Sequence, residues 1–132
     1  MRILAVGDIV GSVTVEYLEK TLWRFRQANK IDFVIANGEN AAEIRGINAG
    51  EAKRLFDAGV DAMTLGNHAF GQKDIVPLLE SDPRLIRPAN YPAAAPGTGY
   101  TVLDLSGWRV LCINLCGRVF MDSFADPFDT VE

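Results

Sequence analysis

Asn67 and His68 close the run Thr64-Leu65-Gly66-Asn67-His68, and His68 is the only histidine of the chain. An imidazole beside an amide, after a glycine at the end of a short apolar run, is placed to meet a cation or to move a proton. Gly38-Glu39-Asn40 has the same design upstream, and Gly7-Asp8-Ile9-Val10-Gly11 has it near the N-terminus. Carboxylate oxygens, amide oxygens and imidazole together suit divalent ions such as Mn²⁺, Fe²⁺ or Zn²⁺. A carboxylate can bridge two such ions about 3.5–4 Å apart, which lowers the pKa of a shared water and clamps phosphate oxygens. Asp8 and Glu39 bring two formal negatives, so a pair of divalent cations would leave the site positive and suited to an anionic ester. Each motif alone has an ordinary alternative. An Asp after a strand turns or caps, a Glu-Asn pair lines a solvated loop, and a lone histidine is commonly a satisfied surface or core group. Their joint occurrence favours the metal reading.

These motifs need strands to position them. Arg2 to Gly7 reads as a buried strand, Phe33 to Asn37 as a second and Ala62 to Leu65 as a third. Between them, Val13 to Lys30 is a helix with Val15, Leu18, Leu22 and Phe25 on one face. Ser12 is placed to cap it, and Tyr17 and Trp23 fall off the stripe. Asn48 and Glu51 form a capping-box pattern that opens a helix from about Ala49 to Ala58. Gly59 stops that helix at a natural C′ position. Asp74 to Leu79 is a short helix interrupted by Pro77, and Arg87 to Gly99 is an ordered loop with three prolines. Tyr100 to Leu105, then Ser106-Gly107, then Trp108 to Leu115 signals a hairpin. Asp126 to Glu132 approaches another helix. The order β-α-β-α-β-α followed by antiparallel strands indicates an α/β fold with a mixed sheet. Ligands of such sheets gather beyond the carboxyl ends of the strands, where Asp8, Glu39, Asn40, Asn67 and His68 all fall.

Length and charge narrow the classes. The 132 residues fit one domain, and 48% hydrophobic residues suit a globular chain. Thirteen basic against seventeen acidic residues leave a net charge of −4, with no basic run. That disfavours an extended nucleic-acid footprint. No apolar stretch reaches the roughly 20 residues of a membrane span, and the N-terminus enters strand-like sequence directly. A cytoplasmic location follows as the expectation. Cys112 and Cys116, if they share a strand, lie roughly 13 Å apart, too far for a disulfide; both read as reduced and structural. Arg45 and Arg118 are candidates to meet a phosphate, although exposed arginines usually do not. Trp23 and Trp108 read as core or interface residues.

At these motifs the chain resembles the calcineurin-like metallophosphoesterases, and most of all their bacterial YmdB-type subgroup. That subgroup hydrolyses phosphodiesters, including 2′,3′-cyclic nucleotides. The resemblance runs from Met1 to about Phe128. It is carried by Arg2-Ile3-Leu4 through Gly11, by Asn37-Gly38-Glu39-Asn40-Ala41-Ala42 and by Thr64 to His68. Arg87-Pro88-Ala89-Asn90-Tyr91-Pro92, Ile113-Asn114-Leu115, Gly117-Arg118 and Asp126-Pro127-Phe128 complete it. It implies a metallophosphoesterase-like α/β/β/α sandwich with mixed sheets. Residues 1–132 would be a single domain, the N-terminal half of that sandwich.

The resemblance also implies roles. Asp8 would bind one metal, Glu39 would bridge both, Asn40 would assist the first and Asn67 would bind the second. His68 would protonate the leaving oxygen as a general acid. The cofactors would be two divalent ions, iron or manganese, with zinc as the alternative. Members of the subgroup carry about as much chain again, with three further metal-binding histidines that this sequence lacks. The implied substrate is a small phosphodiester or nucleotide. The implied partner is a C-terminal half of the same protein, or another copy of the chain, over an exposed apolar edge and face. The rival expectation is a non-catalytic half-site protein for weak metal or nucleotide binding, or for assembly. An ordinary nucleotide-binding module has less support, because no G-x-G-x-x-G or Walker-type loop is present.

Overall fold

The computed structural model describes residues 1–105, 107–121 and 124–132. In chain order its elements are β1 (Ile3–Val6), α1 (Gly11–Ala28), β2 (Phe33–Asn37), α2 (Ala49–Asp57) and β3 (Ala62–Thr64). A 3₁₀ turn (Lys73–Ile75) then leads into α3 (Val76–Ser81), followed by β4 (Leu85–Ile86), β5 (Tyr100–Leu105), β6 (Trp108–Ile113) and α4 (Pro127–Val131). β1 to β4 form one sheet in the order β1-β2-β3-β4, parallel throughout. β5 and β6 pair antiparallel as a separate two-stranded sheet. The strands of opposite sense are therefore divided between two sheets rather than mixed within one.

The two-residue alternation of strands sorts the core into two layers. Val34, Ala36, Met63 and Leu85 point to one side of the parallel sheet. There they pack with Val15 and Leu22 of α1 and with Ala52 and Leu55 of α2. Phe33, Ala62 and Ile86 point to the other side, against Cys112 with Leu103, Leu105 and Val110 of the hairpin. The result is helices, parallel sheet, antiparallel sheet. Each fully buried Leu, Phe or Val contributes about 1.5–3 kcal/mol by leaving water.

Local signals set most element ends. Asn48 accepts from the Glu51 N–H at 2.8 Å and the Glu51 carboxylate accepts from the Asn48 N–H at 3.3 Å, so the capping box is formed. Gly59 sits at φ 112 beyond α2, as a C′ glycine does. α4 is capped by Asp126, which accepts from the Phe128 N–H at 2.9 Å.

Several expectations need correction. β1 is an edge strand, half open to solvent, with Ile3 exposed. α1 starts at Gly11 with Val10 as its uncapped N-terminal residue, so Ser12 is inside the first turn. Phe25 is exposed; the inward stripe of α1 ends instead at Arg26, which donates to Gly59 O at 2.8 Å and pairs with Asp61 at 2.9 Å. Pro77 stands in the first turn of α3, where its missing N–H costs nothing, so it does not interrupt the helix. β4 is a strand just before the expected loop, in residues given no element from sequence, and β6 stops at Ile113. Ser106 of the expected hairpin turn lies outside the described residues. Both tryptophans are 56% exposed, which excludes the core, though not the interface, expected for them.

Candidate metal centre

The loops after β1, β2 and β3 leave the same edge of the sheet, and backbone hydrogen bonds continue the strand pairing into them. Ile9 N–H donates to Asn37 O at 2.9 Å and Gly11 N–H to Asn40 O at 3.0 Å. Gly38 N–H donates to Thr64 O at 3.0 Å. The turn after β3 closes on itself through Ala69 N–H to Gly66 O and Gly71 N–H to His68 O. Asp8 takes φ 42, a left-handed conformation that Asp tolerates better than most residues.

The side chains meet across these loops. Asn40 Nδ2 donates to Asp8 Oδ1 at 2.7 Å. Asn40 Oδ1 lies 2.7 Å from His68 Nδ1. A carboxylate only accepts, so the amide orientation is fixed, and Nδ1 of His68 must be the donor. Nε2 is then the ring nitrogen left for other chemistry. Glu39 takes the His68 backbone N–H on Oε2 at 3.2 Å and the Asn37 amide on Oε1 at 3.4 Å. The Glu39 carboxylate also stands 3.8 Å from His68 Nδ1, with side chains 19% and 33% exposed. Gly66 makes this packing feasible: a Cβ there would fall 2.2 Å from Glu39 Oε1 and 2.4 Å from its Cδ. Asp8 and Asn67 are exposed. The Asn67 carbonyl accepts from Tyr91 Oη at 3.2 Å, and Asn67 shares a hollow with His68, Arg45, Phe70 and Gly71.

Asp8, Glu39, Asn40 and His68 are thus joined by direct contacts, and Asn67 stands beside them. Among the described residues, no three of His, Cys, Asp and Glu are gathered so as to hold a metal ion by themselves. Asn40 stands between Asp8 and His68 and links them. The donor set suits a divalent cation in type, because two carboxylates and two amide oxygens are at hand. One adjustment goes with it: Asn40 Oδ1 would have to exchange His68 for the cation.

Three contributors were not singled out from sequence. Asn37, the last residue of β2, lends its amide to Glu39 and to Thr64 Oγ1, each at 3.4 Å, while its Oδ1 is buried without a partner among the described residues. Asn90, 1% exposed, donates to Cys116 O at 2.8 Å and Ala125 O at 3.0 Å and accepts from the Cys116 N–H at 2.9 Å. Asn114 donates to Leu65 O at 2.5 Å and Ile86 O at 3.2 Å, tying the hairpin end to the strand that carries Asn67 and His68. Arg118 is engaged elsewhere, 2.9 Å from Asp126. Cys112 and Cys116 are free and buried. Burial pushes both thiols up, with the Glu39 carboxylate adding to the effect on Cys116. Protonated thiols are poor metal ligands.

Residues 4–132 match the YmdB-like protein family. The chain is 39% identical over 128 residues to the 2′,3′-cyclic-nucleotide 2′-phosphodiesterase of Bacillus subtilis (strain 168), covering 97% of this chain and 48% of that protein. The crystal structure of a hypothetical protein from Thermus thermophilus superposes with a TM-score of 0.90 at 40% identity, over 99% of this chain and 51% of that one. That of a novel phosphatase from Mycoplasma pneumoniae gives 0.88 at 24% identity, over 98% and 48%, and shares the fold. The chain spans about half the length of the curated relatives it matches. The α/β architecture with two sheets, the contacts among its strand-end loops and these likenesses agree: the chain belongs to the YmdB-like protein family.

Proposed function

We propose that this chain contributes the first part of a two-metal phosphodiesterase site acting on cyclic nucleotides or related phosphodiesters. One observation carries the reading: loops from three strands bring Asp8, Glu39, Asn40 and His68 into direct contact at the carboxyl edge of the sheet. The name of the Bacillus subtilis relative supports the substrate class. Asp8, Glu39, Asn40 and Asn67 are the residues to hold two divalent ions, iron or manganese before zinc. Such ions, when bound, supply Lewis acidity and positive charge toward a phosphate anion.

The rest is the work of the chain itself. Glu39 is held in orientation by the Asn37 amide and the His68 N–H, as ligating carboxylates generally are. The His68 Nδ1–H faces Asn40 Oδ1 until that oxygen turns to a cation, and Nε2 is the ring atom left to give a proton to the leaving oxygen. The outer face of the hairpin exposes Tyr100 opposite Ile113 and Val102 opposite Leu111. We take this apolar ladder as the seat of a further polypeptide, a C-terminal half or another copy. Two free buried cysteines suit a reducing, cytoplasmic setting, and no helix among the described residues is long and apolar enough to cross a membrane.

Calorimetric titration with Mn²⁺, alongside hydrolysis of a 2′,3′-cyclic nucleotide, tests this. Glu39→Gln should abolish tight metal binding. His68→Ala should keep metal and lose turnover, most clearly for substrates with poor leaving groups. Wild-type behaviour in either variant would remove the assigned role. A second reading, a half-site for weak metal or nucleotide binding, is favoured by the absence of a self-sufficient ligand cluster among the described residues. Metal binding without turnover by the protein at its full encoded length would select it.

A further inference from the structure

We propose that Arg45 is a substrate-binding residue that holds a phosphoryl oxygen in the hollow beside His68, an assignment that rests on the phosphoester reading above. The hollow has a volume of about 220 Å³ and is lined by Arg45, Asn67, His68, Phe70 and Gly71. Among the described residues no acidic side chain lines it, and the formal charge on its lining is the positive charge of Arg45. That matters in a chain of net charge −4, where an anion needs a local attractor. The volume lies below the roughly 300–1,000 Å³ of sites that enclose a whole ligand. It fits the phosphoryl group of an ester whose remainder stays outside.

The guanidinium is uncommitted. Arg26, Arg54, Arg84, Arg109 and Arg118 each pair with a carboxylate. Arg2 and Arg87 give theirs to backbone carbonyls. The Arg45 guanidinium has no partner among the described residues. Arg24 shares that condition, but it lies exposed on α1 and lines no part of this hollow.

The backbone under Arg45, by contrast, is fastened to the His68 turn. Gln72 Nε2 donates to Arg45 O at 2.9 Å, and Gly46 N–H donates to Glu39 O at 2.6 Å. A Cβ on Gly46 would lie 3.0 Å from Gly71 Cα, and one on Gly71 would lie 3.0 Å from Arg45 O. Two glycines therefore let the loop after β2 and the loop after β3 touch backbone to backbone. The arrangement fixes the Arg45 backbone against the turn that carries His68 and leaves its planar fork free. A guanidinium fork matches two phosphate oxygens at once, which a lysine ammonium does not.

The test needs no metal. ¹⁵N-labelled chain in EDTA is titrated with inorganic phosphate at constant ionic strength, following the amides of Asn67, His68 and Gly71. Saturable shifts are expected in the wild type. Arg45→Ala should weaken binding at least about tenfold, the loss of one charge-assisted contact, and Arg45→Lys should recover part of it. Equal affinity in Arg45→Ala, or wild-type shifts that never saturate, would overturn the assignment. Failure of Mn²⁺ titration would instead strike the phosphoesterase reading, so the two results separate.

Discussion

Gly66→Ala probes the centre with a single methyl group. Its Cβ would fall 2.2 Å from Glu39 Oε1, where ordinary contact begins at 3.4 Å, so the carboxylate must retreat by about 1.2 Å. The obstructing atoms are the end of a side chain, not backbone, so the fold should survive. Overpacking of this size costs about 1–3 kcal/mol. The retreat also strains the contacts from His68 N–H at 3.2 Å and Asn37 Nδ2 at 3.4 Å. At roughly 4 °C per kcal/mol, melting should fall by about 4–12 °C. Ligand distances must hold within about 0.2 Å, so Mn²⁺ affinity should drop at least about tenfold to a hundredfold. Gly7→Ala is the control, since its Cβ would meet nothing within 4 Å on the neighbouring loop. Thermal melts and calorimetry on both variants decide it. Unchanged melting and metal affinity in Gly66→Ala would refute the packing of Glu39 against the turn after β3.

Further outcomes are expected elsewhere. Asn90→Ala removes three hydrogen bonds, two of them buried, and should cost about 2–5 kcal/mol, with faster amide exchange at Cys116 and Ala125. Asn48→Ala deletes the α2 cap and should cost about 1 kcal/mol by chemical denaturation. Asp82 is held below the usual carboxylate range by Arg84, whose side chain hydrogen-bonds it. Its folded pKa is depressed, so its stabilising effect is present above the unfolded pKa near 3.9 and lost as pH falls through the folded value. Asp82→Asn should therefore lower the melting temperature at pH 7, and the gap to wild type should close on acidification.

How much of this was legible depended on whether a residue obeyed a periodicity. Phe33 to Asn37 is a strand by composition and ends where it should, and Asn48 with Glu51 announced the start of α2 by side-chain chemistry alone. The motifs on the first three strand ends could be placed side by side from sequence because an α/β topology sends all such ends to one edge. Phe25 misled because a helical stripe shows which residues align, not which neighbour is present to cover them; the hollow side of α1 ends at the Arg26–Asp61 pair. β4 was hidden because two residues are too short for any period. Asn37, Asn90 and Asn114 stand in segments that carry the family resemblance, but their roles were hidden for another reason. Each works through one side chain reaching a distant backbone or carboxylate, and such contacts leave no pattern along the chain. Pro77 was misjudged by one turn, the interval that separates a helix breaker from a helix starter.

Anomalous diffraction at the manganese edge, from crystals grown with Mn²⁺, would locate the ion. Density is expected against the carboxylates of Asp8 and Glu39, within reach of Asn67. A wild-type crystal with its manganese bound elsewhere, or with none at saturating concentration, would contradict that placement.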